Sequence, residues 1–326
     1  MVQIVFLCGG VGRRFGSSLW MKPLNKVEGV SLMEHTLRPF VEAGFSIWIA
    51  HNENLGQQGI QRIVGAMFPE AQNSIRFFQL PYLTQGAVES GYLAVQAMNR
   101  KEQTEPILFF DNDAIYSKEM IQQVVRAAQS LPPHSALLGT AWIDNPQPCY
   151  CYVETETREG EREREREEEE RSVEKVVRIR EKEVISHIFG IGIYGFQSGQ
   201  FFLDEAHQMI QEDRRMKQEF YFSSLLDAIL EKNRLVQSVR SDTWPTVLGT
   251  PEQIRSIKHT LPRKTLRFVI SHHHAIDHLD WIDDLLEQGH EVRVLTPEEE
   301  DAYDFRIDPK SINPTHPDWK QWMGFE

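Results

Sequence analysis

The sequence lacks the hallmarks of several large classes of protein. Its three cysteines, Cys8, Cys149 and Cys151, have neither metal-ligand spacing nor the even number of a disulfide framework, which favours a reducing cytoplasm. No apolar run approaches the roughly 18 residues of a membrane span, and the apolar N-terminus lacks the basic leader of a signal peptide. The net charge of -13 argues against nonspecific nucleic-acid binding. We therefore expect a cytoplasmic globular protein with no nucleic-acid and no membrane partner.

Strands and helices are predicted to alternate along most of the chain. Apolar runs predict strands over 2–8, 45–51, 74–80, 106–110, 135–142 and 187–203. Apolar stripes at helical spacing, with a capping box at 31–34, predict helices over 31–43, around 88–98, over 117–129 and near 219–232. Pro39 is expected to bend the first helix. This alternation predicts an α/β fold with a mainly parallel sheet, in which ligands bind at the carboxyl ends of strands.

Two segments stand apart from this pattern. Residues 154–183 contain a low-complexity run of Arg and Glu that cannot bury a core, and regular structure is expected to resume at Val173. An exposed hairpin extension, a mobile insert and a solvated helix are the alternatives for this run. Beyond a linker at 262–264, strands over 266–271 and 291–295 around a helix over 277–288 predict a small βαβ unit. The expected domains are therefore 1–261 and 262–326.

A glycine-rich loop at 9–16 directly follows the first strand. Gly9, Gly10 and Gly12 let the backbone curl so that its N–H groups face a polyphosphate. An arginine in this loop suits bidentate contact with phosphate oxygens, and Lys22 adds a point charge. A dinucleotide-binding turn is the competing interpretation. It fits poorly, because that loop runs straight into a helix, whereas here two arginines crowd the loop and the chain continues to Lys22.

An acidic pair, Asp111 and Asp113, follows the apolar strand at 106–110. Two carboxylates two residues apart at a strand end suit Mg²⁺ held against phosphate oxygens. Capping of the following turn is the alternative role. Because this pair and the glycine loop both lie at carboxyl ends of predicted parallel strands, the topology predicts that they meet.

These motifs together resemble the signature of the sugar-phosphate nucleotidyltransferases, the nucleoside-diphosphate-sugar pyrophosphorylases. The matches cover roughly residues 2–260 and run in order: Leu7–Phe15 with Lys22-Pro-Leu24, Thr84–Ala87, Phe110–Asp113, Val176–Lys182, Gly190–Tyr194 and Trp244–Pro251. The resemblance implies a three-layer, Rossmann-like (GT-A-like) fold with a mainly parallel mixed sheet.

The resemblance also implies roles for individual residues. On the nucleotide side, Arg14 would stabilise the triphosphate, Lys22 would lie near the α-phosphate, and Gln85 with Gly86 would read the base, with Gln79 as a competing candidate. Asp113 is implied as the metal ligand, with Asp111 beside it. The implied contacts to the phosphorylated acceptor are Glu181, Lys182 and Gly190.

The sequence departs from the family pattern at two places. Arg13 stands where the family usually has a small hydroxyl residue. The stretch that usually carries a second metal aspartate reads Trp244-Pro-Thr-Val-Leu-Gly249 and holds no acid, so Asp242 is the substitute we consider. Loss of one carboxylate from a metal site costs roughly 10-fold or more in metal affinity.

The expected activity is Mg²⁺-dependent transfer of NMP from an NTP to a sugar-1-phosphate or similar phosphorylated small molecule, with release of pyrophosphate. A nucleotide-sugar glycosyltransferase and a non-catalytic nucleotide-binding regulator are the alternatives, and a homo-oligomer is an open option. The C-terminal unit is similar to part of a haloacid-dehalogenase-like phosphatase core. However, Ser271-His-His-His274 stands where that core needs Asp-x-Asp, so we predict no phosphatase activity.

Overall fold

The computed structural model of the chain describes residues 2–10, 26–27, 30–52, 57–71, 73–156, 173–248, 253, 267–270 and 291–294. Within these residues the fold is a mixed α/β structure. The strands of its main sheet are β1 (Gln3–Cys8), β4 (Ile47–His51), β5 (Ile75–Gln79), β6 (Ile107–Phe110), β8 (Ala136–Trp142), β9 (Cys151–Thr155), β10 (Val173–Glu181), β11 (Ile188–Phe196) and β12 (Val236–Ser241).

Three short strand pairs, seven α-helices and a 3-10 helix at Pro69–Ala71 complete the described part. The pairs are β2 (Lys26–Val27) with β3 (Val30–Ser31), β7 (Ala114–Ile115) with β13 (Thr246–Val247), and β14 (Arg267–Ile270) with β15 (Glu291–Val294). The helices are α1 (Leu32–Glu42), α2 (Gln57–Met67), α3 (Ala87–Gln96), α4 (Arg100–Gln103), α5 (Lys118–Gln129), α6 (Gly199–Gln211) and α7 (Phe222–Glu231). None of the described helices is long and apolar enough to cross a membrane.

The main sheet has the strand order β5-β4-β1-β6-β11-β8-β12-β10-β9. Strands β5, β4, β1 and β6 are parallel, so their carboxyl ends share one edge of the sheet. β11 lies antiparallel between β6 and β8, and β10 lies antiparallel to β12. The sheet is therefore mixed, with a parallel block at one side, and this block positions the predicted site.

Alternating side chains of the parallel strands fill a separate core on each face of the sheet. From β1, Ile4 and Phe6 join a buried cluster with residues of α1, α2 and α5, whereas Val5 joins one with residues of α3, α6 and α7. All three side chains are fully buried. This burial explains why β1 reads as a continuous apolar run rather than an alternating one.

Local signals in the sequence account for the ends of helix α1. The Ser31 side chain accepts a hydrogen bond of 3.0 Å from the Glu34 backbone N–H, as an N-cap does. Gly44 follows the helix with φ +75°, a conformation that favours glycine. Pro39 lies inside the helix, which continues to Glu42.

The charged segment separates two paired strands. β9 and β10 pair antiparallel, with Thr155 opposite Val176, and the Glu156 N–H donates to the Lys175 carbonyl at 2.8 Å. Both ends of the predicted 154–183 insert are therefore strands, as expected for a hairpin extension. Residues 157–172 between them lie outside the described residues.

The predicted strand over 187–203 is wrong in its second half. β11 ends at Phe196, and α6 begins at Gly199 with the Ser198 side chain accepting from the Phe201 N–H at 3.1 Å. Phe202, Ala206 and Met209 lie on the buried face of this helix, so their spacing of three to four residues marked a helix. In the C-terminal part, β14 and β15 pair in parallel, and the predicted βαβ helix lies outside the described residues.

Candidate functional site

The start of the glycine loop lies at the carboxyl end of β1. A Cβ at Gly9 would collide with the Leu80 side chain, so the backbone passes close to the residue that follows β5. Gly10 is exposed and has open space where a Cβ would lie. Gly12, Arg13, Arg14 and Lys22 lie outside the described residues.

The acidic turn after β6 is bonded to its neighbours on both sides. The Asp111 N–H donates to the Gly192 carbonyl of β11 at 2.9 Å. The Asn112 amide donates to the Leu7 carbonyl of β1, and the Asn112 carbonyl accepts from the Thr36 hydroxyl at 3.3 Å. Asn112 therefore holds the acidic turn beside the start of the glycine loop. In the sequence, the one sign of this role is its position between the two aspartates.

Gly192 lies directly beneath the Asp111 carboxylate. Its φ is +77°, and a Cβ there would lie 2.6 Å from Asp111 Cγ. The buried Tyr116 hydroxyl donates to the Gly192 carbonyl at 3.0 Å, and burial followed by the charges of Asp111 and Asp113 holds the pKa of this phenol well above 10. At Gly190, the third predicted substrate contact, a Cβ would meet only ordinary contacts from 3.4 Å.

The segment at 244–249, which usually carries a second metal aspartate in the family, contacts Asp113 but contains no acidic residue. The Leu248 N–H donates to the Asp113 carbonyl at 2.6 Å, and Thr246 pairs with Ile115. Asp242 is exposed at the end of β12. Among the described residues no three His, Cys, Asp or Glu side chains form a group that could hold a metal.

Glu181 and Lys182 lie at the end of β10 and contact the start of helix α7. The Ser223 hydroxyl donates to Glu181 Oε2 at 2.8 Å, and the Glu181 side chain is only 10% exposed. Lys182 has φ +58°, and its ammonium donates to the Tyr221 hydroxyl at 3.1 Å and lies 4.7 Å from the Tyr221 ring centroid. The two predicted acceptor-binding side chains are therefore fixed by residues that the sequence motif did not include.

Strand β11 connects the acidic turn to the end of β10, because it pairs with β6 and also with β9, the neighbour of β10. Burial raises the pKa of Tyr194 well above 10, and the negative charges of Asp111 and Glu181, with the Cys151 thiol, raise it further. Tyr194 belongs to the strand motif at 190–194, and its ring stacks on Phe222 with centroids 4.6 Å apart.

The predicted base-recognition loop is held by protein contacts around Gly86. Gly86 has φ +141°, and a Cβ there would lie 2.5 Å from the Phe220 nitrogen. The Gln85 N–H donates to the Glu89 carboxylate at 2.5 Å, and the Gln85 amide oxygen accepts from Arg215 at 2.7 Å. Gln79, the competing base reader, is exposed at the carboxyl end of β5.

Two buried polar residues at the carboxyl end of β4 were not predicted. His51 pairs in register with Cys8 of β1 and with Gln79 of β5, which places it between the glycine loop and that candidate base reader. His51 Nδ1 donates to the Asn52 carbonyl at 2.9 Å. Three buried atoms, His51 Nε2 and the Asn52 side-chain nitrogen and oxygen, have no hydrogen-bond partner in the described structure. Buried polar groups without partners point to a ligand, because leaving them unsatisfied costs about 1–3 kcal/mol each.

Comparison with known proteins decides the family. Residues 4–184 match the model of the MobA-like NTP transferase domain, which is more than half of the chain. The chain belongs to this family. It is therefore a nucleotidyltransferase, and the glycine loop, Asp111, Asp113, Glu181 and Lys182 all fall within the matched range.

Solved structures of nucleotidyltransferases share the fold. A nucleoside-diphosphate-sugar pyrophosphorylase from Vibrio cholerae RC9 is 14% identical, with a TM-score of 0.62 over 79% of this chain and 100% of its own. An apo-UDP-glucose pyrophosphorylase is 12% identical, with a TM-score of 0.63 over 80% and 98%. An inositol-1-phosphate CTP transferase from T. maritima is 12% identical, with a TM-score of 0.56 over 80% and 97%. No curated protein matches the sequence.

Proposed function

We propose that this nucleotidyltransferase transfers NMP from an NTP to a sugar-1-phosphate or similar phosphorylated small molecule and releases pyrophosphate. The observation that carries the proposal is the strand pairing between the two parts of the site: β11 pairs with β6, which ends at the acidic turn, and with β9, which pairs with the end of β10 at Glu181. The names of the structural neighbours, two sugar-nucleotide pyrophosphorylases and an inositol-1-phosphate transferase, support a phosphorylated polyol as acceptor.

The reaction requires positioning and charge neutralisation rather than a covalent intermediate on the protein. An acceptor phosphate oxygen attacks the α-phosphorus of the NTP, the new O–P bond forms, and the bond to the bridging oxygen of pyrophosphate breaks. In this assignment Glu181 accepts hydrogen bonds from acceptor hydroxyls and Lys182 contacts its phosphate. Arg14 and Lys22, expected from the sequence to neutralise the triphosphate, lie outside the described residues.

The residues of the acidic turn suit Mg²⁺. Asp111 is exposed and Asp113 half-buried at the phosphate edge of the sheet, and both carboxylates act on the Tyr116 phenol. Mg²⁺ commonly binds through one or two carboxylates, substrate phosphates and water, so two carboxylates are sufficient. When bound, the ion would neutralise charge on the phosphates. Asp113 and Asp111 are the ligands we propose, and Asp242 stays a prediction.

The nucleotide is assigned to the side of the site formed by β1, β4 and β5. The unpartnered atoms of His51 and Asn52 lie between Gly9 and Gln79, which supports a role for this pair in nucleotide binding. The His51 Nδ1–H is used by a carbonyl, so Nε2 presents a lone pair and accepts a hydrogen bond. Gln79 and Gly86 remain the proposed base contacts, since the Gln85 amide oxygen is already bonded to Arg215.

The test is pyrophosphate release from each NTP with a panel of sugar-1-phosphates and inositol 1-phosphate in the presence of Mg²⁺. We expect one pair to release pyrophosphate well above the rest. Lys22→Ala and Asp113→Asn should each lower turnover about 100-fold or more, as loss of a transition-state charge contact does. Lys101→Ala, at an exposed position of α4, is the matched control and should leave turnover unchanged.

Other outcomes of this assay separate the alternatives. Sugar transfer from an NDP-sugar without pyrophosphate release would support a glycosyltransferase. Tight nucleotide binding with no release from any pair would support a non-catalytic regulator. Either result would overturn the proposed reaction.

A further inference from the structure

One segment of the chain contacts both halves of the proposed site. Residues 213–223, here called the linking segment, connect helix α6 to the first turn of α7. Three non-glycine residues in it, Asp213, Lys217 and Gln218, have φ between +49° and +68°. Ion pairing of Arg215 with Asp213 at 2.5 Å and a backbone bridge between Met216 and Glu219 hold this turn.

The first end of the linking segment binds the predicted base-recognition loop. The Arg215 guanidinium donates to the Gln85 amide oxygen at 2.7 Å. The Phe220 N–H donates to the Gln85 carbonyl at 2.9 Å, and the Phe220 carbonyl accepts from the Val88 N–H at 3.1 Å. The backbone of Phe220 also occupies the space that a Cβ at Gly86 would need. The position of this loop is therefore set by the linking segment.

The second end binds the Glu181-Lys182 pair. The Tyr221 hydroxyl accepts from the Lys182 ammonium at 3.1 Å, and the Ser223 hydroxyl donates to Glu181 Oε2 at 2.8 Å. Both contacts fix the side chains that the proposed function assigns to the acceptor. Ser223 is 2% exposed, so its hydroxyl has few alternatives to Glu181.

Only three peptide bonds separate Phe220 from Ser223. Phe220 and Phe222 are both 4% exposed and belong to the same core cluster. The Phe222 ring stacks on Tyr194 and packs at a tilt against Phe109, with centroid distances of 4.6 and 4.8 Å. Closely packed side chains transmit displacement because interiors contain little free volume. A shift of the base-recognition loop that moves Phe220 must therefore also shift Tyr221 and Ser223.

We propose that the linking segment couples the two substrate sites, with Arg215, Tyr221 and Ser223 as positioning residues. This inference rests on the proposed function. A nucleotide that orders the loop around Gln85 and Gly86 holds Phe220 in place, and thereby holds Tyr221 on Lys182 and Ser223 on Glu181. The affinity for the phosphorylated acceptor rises when the nucleotide is bound, and by thermodynamic linkage the acceptor raises nucleotide affinity by the same factor.

The test measures this coupling by calorimetry on the full chain with Mg²⁺. The probes are the sugar-1-phosphate and the α,β-methylene analogue of the NTP that release pyrophosphate fastest in the assay above. We expect the analogue to lower the acceptor Kd of the wild type about 10-fold, a typical coupling factor. In Arg215→Ala and Ser223→Ala the factor should fall to about 2-fold or less.

Two neighbouring positions provide matched controls. Arg214 forms ion pairs with Glu212 and Glu231 and has no contact with Gln85 among its described bonds. Ser224 has a buried hydroxyl without a hydrogen-bond partner in the described structure. Arg214→Ala and Ser224→Ala should therefore keep the full coupling factor. Tyr221→Phe keeps the ring under Lys182 but removes the hydroxyl, and it should give an intermediate factor.

The possible results separate the coupling from the proposed function. Wild-type protein that releases pyrophosphate but shows a coupling factor of one would overturn the coupling alone. The coupling would also be overturned if the Arg215→Ala and Ser223→Ala variants bound each ligand more weakly but kept the wild-type coupling factor. Each residue would then affect only the substrate site that it contacts. Failure of the wild type to release pyrophosphate with any pair overturns the proposed function, and with it the inference that rests on it.

Discussion

His51 is the residue whose environment differs most from what its place in the sequence suggests. It ends an apolar strand, it is fully buried, and burial holds its pKa below the usual 6.5. Spacing and resemblance predict Asp111, Asp113, Glu181 and Lys182 as site residues. They do not predict His51, Asn52 or Asn112, because a single polar residue after a strand has no motif spacing. A weaker signal in the sequence could have identified these three residues: each is a polar side chain at the end of an apolar strand whose carboxyl end lies at the ligand-binding edge of the sheet.

The buried imidazole predicts how stability depends on pH. As the pH falls through about 6.5, the unfolded chain binds a proton at His51 more readily than the folded chain does, so this residue makes stability fall on acidification, by at most about 1.4 kcal/mol per pH unit. His51→Gln should therefore flatten the dependence of the unfolding free energy on pH below about pH 6.5. Urea titrations at a series of pH values measure this effect. His207→Gln, at an exposed position, is the control, and an equal flattening there would contradict the assignment.

At the scale of elements, prediction succeeded where a local pattern and the tertiary environment agree. α1 and α5 have the predicted bounds to within one or two residues, since each has a serine N-cap and an apolar stripe. The first half of α6 was taken for strand because its Phe-Phe-Leu run follows a Gly-rich strand without a long break. The role of the linking segment was not predicted, although its last residues fall in the helix predicted near 219–232, because this role depends on contacts with residues more than 30 positions away.

The β9–β10 hairpin predicts that the charged insert can be shortened. Strand pairing reaches Glu156 and Lys175, so the hairpin is defined without residues 157–172. Replacing these residues by Asn-Gly should leave pyrophosphate release unchanged and raise the unfolding free energy by about 1 kcal/mol, because a shorter loop is easier to close. Urea unfolding and turnover measure the result. A fall of more than about 10-fold in kcat/KM would instead assign the insert a role in binding.

For the whole molecule, the main sheet is contained in the first three quarters of the chain. Its strands lie between Gln3 and Ser241, and the family match ends at residue 184. The main sheet and the described residues of the proposed site therefore all lie within the predicted domain 1–261. The similarity of the C-terminal unit to a phosphatase core stays a prediction.

This arrangement predicts that the chain truncated after residue 261 folds and keeps the activity. We expect a cooperative thermal transition within about 5 °C of the full chain, because loss of up to about 1 kcal/mol shifts Tm by only a few degrees in a domain of this size. Pyrophosphate release should stay within about 3-fold, a difference of less than 1 kcal/mol. A truncated chain that remains unfolded would show that residues beyond 261 are needed by the sheet.

The place of β11 in the sheet has a consequence for synthesis of the protein. β11 lies between β6 and β8, so the two parts of the sheet cannot join until residue 196 has left the ribosome. At about 5–20 residues per second, the nascent chain displays the apolar edge of β6 for several seconds. During this interval unpaired strand edges are open to wrong partners. We therefore expect yield in cells to depend on chaperones that bind nascent chains, and slower translation between β8 and β11 to increase aggregation.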